Sequence, residues 1–250
     1  MFTDTHCHIF SDYYDDELDM PEITAHANYA GVVKFINNGT DNKSNHEVLE
    51  ISKKYYFIYP ALGIHPEEKN YSVEDLKFIE DNITSIVAIG EIGLDYHYDD
   101  ANKEVQKELF TSQLKLAQKY NKPVIIHSRD ATKDTIDILK GYPTLKGVIH
   151  CFTGSLETAR EYIKMGYKLG MNGVITFKNS NFKEILKELP LDSLVLETDS
   201  PYLTPEPKRG TRNEPANVLY IAEFIASIKD ISLDELSKIT EKNVKDIFDI

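Results

Sequence analysis

The chain has 250 residues, with 28 Lys or Arg against 41 Asp or Glu and a formal charge of −13. That length suits one large domain, and the charge argues against nucleic-acid binding through a broad basic face, because phosphate neutralisation needs Lys and Arg on the contact surface. No apolar run is long enough to cross a membrane, and Met1-Phe2-Thr3-Asp4 lacks the basic and apolar regions of a signal peptide, so the expected location is the cytoplasm.

Short β-branched or aromatic runs alternate with longer amphipathic stretches. In chain order the expected strands are Phe2 to His6, Val32 to Asn37, Phe57 to Gly63, Ile86 to Glu91, Val124 to His127, Gly147 to His150, Tyr167 to Met171 and Leu194 to Asp199. Eight strands with helical stretches between them predict an α/β fold, a (β/α)8 TIM barrel forming a single domain over residues 1–250. Glu104 to Tyr120 reads as a helix with Val105, Leu109, Leu116 and Tyr120 on one barrel-facing stripe, stopped by Asn121-Lys122-Pro123. Ser232-Leu233-Asp234-Glu235 reads as a capping box opening a last helix toward Phe248. The longest irregular stretch, Ser200 to Pro215, follows the last strand on the face where barrel enzymes build their sites, and reads as functional.

Six residues able to bind a divalent metal fall at the ends of these strands: His6, His8, Glu91, His127, His150 and Asp199. In a strand, residues i and i+2 face the same side, so His6 and His8 can converge on one ion. Six N and O donors exceed the need of one tetrahedral ion and suit two ions that share a carboxylate. The expected division gives His6, His8 and Asp199 to one ion and His127 and His150 to the other, with Glu91 between them. Asp199 is also the expected proton acceptor for the attacking water. Glu197 and Asp4 share strand parity with these donors and are expected to accept from ligand imidazoles. His26, His46 and His97 read as ordinary core or surface histidines. Cys7 and Cys151 each follow a histidine of the set; alternation turns both outward, as reduced, partly buried thiols.

Basic groups follow several strands. Arg129 lies two residues past His127, Lys178 follows the seventh strand, and Arg209 and Arg212 lie in the last loop. Thr153-Gly154-Ser155 looks like a helix start, whose free N–H groups accept phosphate oxygens. Together they point to a phosphorylated substrate. His65, in Gly63-Ile64-His65-Pro66, is a further candidate substrate contact, and Tyr96, Tyr98 and Tyr202 are candidates for stacking on bases.

The motifs Thr5-His6-Cys7-His8, Gly63-Ile64-His65-Pro66, Gly90-Glu91-Ile92-Gly93-Leu94-Asp95-Tyr96, Pro123-Val124-Ile125-Ile126-His127-Ser128-Arg129, His150-Cys151-Phe152-Thr153-Gly154-Ser155 and Leu196-Glu197-Thr198-Asp199-Ser200-Pro201, with Arg212-Asn213-Glu214-Pro215, resemble in type and order the TatD-type metal-dependent deoxyribonucleases. The likeness spans essentially the whole chain. It implies an amidohydrolase-like TIM barrel in which the six donors named above are the metal positions and Glu91 replaces a modified lysine as the bridge. It also implies hydrolysis of DNA phosphodiesters, with single-stranded or frayed 3′ ends as substrate and two divalent ions (Mg, Mn or Zn) as cofactors. No membrane association or obligate protein partner is evident. The competing readings are another ester hydrolase of the wider superfamily, such as one that removes D-amino acids from tRNA, and a non-catalytic metal-binding scaffold.

Overall fold

The alternation of short and long apolar patterns builds eight parallel strands, β1 (Phe2–Cys7), β2 (Val32–Asn38), β3 (Ile58–Leu62), β4 (Ala88–Asp95), β5 (Val124–Arg129), β6 (Gly147–Ile149), β7 (Tyr167–Met171) and β8 (Leu194–Leu196), paired in chain order. The structure, a computed structural model, describes residues 1–14, 16–99 and 101–250, apart from the side chains of residues 16–18. Between successive strands run α1 (Asp16–Tyr29), α2 (Asn42–Lys54), α3 (Val73–Asp81), α4 (Lys103–Tyr120), α5 (Thr132–Leu139), α6 (Leu156–Lys164) and α7 (Phe182–Glu188). The helices α8 (Val218–Lys229) and α9 (Leu233–Phe248) follow β8. The fold is a TIM barrel in one domain. No described helix is long and apolar enough to cross a membrane.

Two apolar layers hold it. The larger lies between strands and helices. The smaller takes one residue from each of six strands, Ile36, Ala61, Ala88, Ile125, Val148 and Val195, and is plugged by Val244 and Phe248 of α9. This is the packed lumen of a barrel. Because side chains alternate, the residues two beyond Ile125 and Val148, His127 and His150, also face inward, one layer higher. In β4 the register shifts between Ile89 and Ile92, and Glu91 thereby comes to the inside.

The two ends of the sheet meet at a short seam. Cys7 and Ser200 form an isolated parallel bridge, His8 N–H donates to Ser200 O at 2.8 Å, and Asp199 N–H donates to His6 O at 2.9 Å.

Several expected boundaries move. β4 and β5 continue past Glu91 and His127 because they stay paired to Asp95 and Arg129. Gly93 permits this, since a Cβ there would lie 1.9 Å from His127 O. Arg129 therefore ends a strand. β8 stops at Leu196, and Asp199 turns away from strand geometry at φ 58°. Of the stripe expected on α4, Leu109 and Leu116 pack inward and Val105 and Tyr120 do not. The buried face is Gln106, Leu109, Phe110, Gln113, Leu114 and Ala117, while Val105 and Tyr120 are exposed. Two buried amides rotate it: Gln106 bonds both backbone groups of Asp95, and Gln113 both of Ile64. On α9, Ser232 caps the helix by accepting from Glu235 N–H.

The loop after β8 is ordered by Asn213, which is fully buried. Its Nδ2 donates to Thr198 O and Tyr202 O, and its Oδ1 accepts from Glu214 N–H and Asn217 Nδ2. Replacing it with alanine strands several buried partners, so Asn213→Ala is expected to destabilise the protein by about 3 kcal/mol in urea unfolding. A loss below about 1 kcal/mol would show that the loop is held by other contacts.

Candidate metal centre

The seam places the first donors. The Asp4 carboxylate accepts from His6 N–H, Thr198 N–H and Thr198 Oγ1, locking β1 to the segment after β8. Asp4 thus serves the backbone and not an imidazole, contrary to expectation; Nδ1 of His6 is buried with no partner. His8 Nδ1 donates to Asn38 O at 2.9 Å, which turns its Nε2 to the centre.

At the centre is the Glu91 carboxylate, 3% exposed. Its Oε2 lies 3.4 Å from His6 Nε2 and 3.6 Å from His8 Nε2. Its Oε1 lies 2.9 Å from His127 Nδ1 and 3.8 Å from both His150 Nε2 and His65 Nε2. Asp199 Oδ1 stands 3.4 Å from His8 Nε2 and 3.7 Å from both His6 Nε2 and His150 Nε2. Donors about 2.1 Å from one ion stand roughly 3 to 4 Å apart, so these spacings fit a cation. His6 Nε2 and His8 Nε2 are hydrogen-bonded to each other at 3.0 Å, through a proton that a cation would displace. The donor groups that could hold an ion are His6, His8 and Glu91; His6, His150 and Asp199; and His65, Glu91 and His127. His65, expected as a substrate contact, stands within reach of Glu91 and His127.

Carboxylates stand behind two of the imidazoles. His127 Nε2 donates to Asp95 Oδ2 at 2.9 Å, and Glu197 Oε1 lies 2.9 Å from His150 Nδ1. Gly170 makes room for Glu197, since a Cβ there would come within 2.1 Å of Glu197 Oε2. Asp95 was missed in the sequence because its place depends on β4 running four residues past Glu91.

These partners set the charges. Burial alone would raise the Glu91 carboxyl, but the imidazoles of His6 and His65 and the hydrogen bonds from His127 and His6 hold it well below the usual range. Burial would lower His127, yet Asp95 and Glu91 pull it up to about 9. Against the same burial, Glu197 and Asp199 pull His150 up to about 10. Burial keeps His65 down at about 3, so it is neutral. Its Nδ1 accepts from Glu67 N–H, which leaves the proton on Nε2, the nitrogen aimed at Glu91.

Above the centre opens a cleft of about 790 Å³. His65 and Arg129 line it, as do Thr153, Tyr98 and Tyr202. Among the described residues Lys178, Arg209 and Arg212 do not. Arg209 lies over the Phe177 ring at 4.0 Å, and Arg212 pairs with Asp19 at 3.0 Å and covers the Tyr14 ring. Tyr96 is turned away, bonded to Asp134. Ser155 caps α6 by accepting from Thr158 N–H. Both cysteines are free, but only Cys7 packs outward into the core; Cys151, at φ 49°, lines the cleft, because the chain leaves strand geometry after Ile149.

The chain matches the family described as TatD related DNase over residues 3–249. It is 44% identical over 256 residues to the metal-dependent hydrolase YabD of Bacillus subtilis, covering all of both chains. It is 33% identical over 261 residues to human deoxyribonuclease TATDN3, covering 98% of this chain and 93% of that one. The crystal structure of YjjV, a TatD homologue from Escherichia coli, superposes with a TM-score of 0.94 at 33% identity, over 100% of this chain and 98% of that one.

At neutral pH the metal-free protein keeps protons on His127 and His150, and a cation at Glu91 competes with both. Metal binding at pH 7 is therefore expected to release protons, His8 adding to the release because Asp199 and Glu91 raise it against burial. Apparent affinity should rise with pH and level off as the two groups lose their protons near 9 and 10. Calorimetric titration with Zn²⁺ or Mn²⁺ in buffers of different ionisation enthalpy measures the release. Affinity independent of pH would contradict the charge assignment.

Proposed function

Because this chain belongs to the TatD related DNase family, we propose that it is a metal-dependent hydrolase that cleaves DNA phosphodiester bonds, taking single-stranded or frayed 3′ ends. One observation carries this reading: the two oxygens of a single buried carboxylate, Glu91, face separate sets of imidazoles at ion-binding spacing. His6, His8 and Asp199 would hold one divalent ion (Mg, Mn or Zn) and His127 and His150 a second, with Glu91 bridging. Such a pair, when bound, supplies an activated water and charge neutralisation at a phosphoryl oxygen.

The chain's own residues supply the rest. Asp199 takes the proton of the attacking water, since its carboxylate lies at the cleft floor among three of the imidazoles. His65 is neutral and donates from Nε2 to the phosphoryl oxygen that gains charge. Asp95 fixes the ring orientation of His127 by a hydrogen bond, and Glu197 supplies negative charge beside His150. Arg129 meets a neighbouring phosphate. The relative named deoxyribonuclease TATDN3 supports DNA as substrate.

The cleft also favours a second reading. Asp41, Glu67 and Glu68 line it, and Arg129 is the one Lys or Arg among its described lining residues. An acidic wall suits a substrate with an ammonium group, such as an aminoacyl ester on tRNA.

End-labelled single-stranded DNA and an aminoacyl-tRNA ester, each incubated with metal-loaded protein, separate the two. Shortening of the DNA from its 3′ end, abolished by EDTA, is expected. Cleavage of the ester alone would give the second reading. Asp199→Asn is expected to lower turnover by about 10²- to 10⁴-fold while unfolding stays cooperative. Undiminished turnover in that variant would remove Asp199 from the proton transfer.

A further inference from the structure

We propose that Tyr13 and Tyr202 form a stacking platform for the nucleobase next to the scissile phosphate. The inference rests on the nuclease reading above and names a subsite within it.

Both rings stand on the cleft wall and remain partly open, Tyr13 at 37% and Tyr202 at 46% exposure. Their centroids are 5.3 Å apart at an interplanar angle of 76°, and their hydroxyls are hydrogen-bonded to each other. Phe10 backs Tyr13 at 5.2 Å, and the Tyr202 ring lies 6.5 Å from that of His8. The backbones beneath them are fixed. Tyr202 N–H donates to Asp199 O, Tyr202 O accepts from Asn213 Nδ2, and Tyr13 O accepts from Arg212 Nη1. An aromatic face left open but held in place binds a planar partner with little further ordering, which is how rings come to anchor ligands.

The occupant follows from position. Tyr202 is three residues from Asp199 and adjacent to His8, so a ring resting on it belongs to the group bonded to the reacting centre. Across the cleft, Arg129 lies over Tyr98 at 5.6 Å. A strand lying between the two walls would put a base on the tyrosines and its next phosphate on Arg129. The bases of single strands are free to stack on such rings irrespective of sequence. The acidic wall that grips phosphates poorly leaves this ring contact as the main hold on the strand end.

The test crosses enzyme with substrate. Oligodeoxynucleotides ending in a normal nucleotide or in an abasic residue are cleaved by the parent protein, Tyr202→Ala and Tyr13→Ala, all at matched metal content. On normal ends each variant is expected to raise KM about tenfold to a hundredfold with a smaller change in kcat. The abasic end should cost the parent protein a similar factor and cost Tyr202→Ala nothing further. Tyr202→Phe, which keeps the ring, should recover most of the loss. Equal KM values for parent and both alanine variants on normal ends would overturn the platform while leaving the nuclease reading intact. If no strand is cleaved, the nuclease reading fails, and the platform is judged by binding alone. The fluorescence of 2-aminopurine deoxyribonucleoside 5′-monophosphate should then be quenched by metal-loaded parent protein and not by Tyr202→Ala, and absence of quenching by the parent overturns it.

Discussion

A carboxylate buried at the mouth of a barrel needs polar partners around it, and Glu91 has five imidazoles within 4 Å. Those rings come from residues 6, 8, 65, 127 and 150, far apart in the chain. Only a closed parallel sheet, delivering the same end of every strand to one rim, brings them to a common point. The register shift in β4, the long pairing of β4 with β5 and the seam between Cys7 and Ser200 are the devices that aim them. Around that cluster the remaining carboxylates have distinct partners: Asp95 behind His127, Glu197 beside His150, and Asp4 on the backbone of the seam.

How much of this was legible depended on whether a feature was local. Strand existence and order followed from runs such as Val124 to Ile126, because parallel strands buried on both faces are continuously apolar. The donors stood out because imidazoles and acids closing such runs have no reason to be there as packing. Strand length was less accessible. Whether β4 ends at Glu91 or Asp95 is decided by pairing with β5, and so the role of Asp95 was hidden. The α4 face was partly misread because two of its inward residues, Gln106 and Gln113, are polar and cap strand-end backbone, which a count of apolar residues does not register. The last-loop arginines were equally ambiguous. Their charge suggested phosphate, but Arg212 has Asp19 beside it and Arg209 a ring.

The cleft combines an acidic rim with a centre built for cations. With a formal charge of −13, the chain offers a polyanion little long-range attraction. Bound dications would reverse the local field at the point of reaction while the rim stays negative. A polyanion lying along the surface would then meet the negative rim. The aromatic wall and the charged centre therefore act at short range, on groups already inside.

The seam has a consequence for how the protein is made. His6 and His8 leave the ribosome almost two hundred residues before Asp199, which bonds back to His6. Until then a paired imidazole motif is exposed on an unfinished chain, where tight-binding copper or nickel would be held by affinity alone. Selection by geometry begins only when the last strand closes the ring. An ion taken up before that point would be chosen by affinity, and one taken up after it by fit.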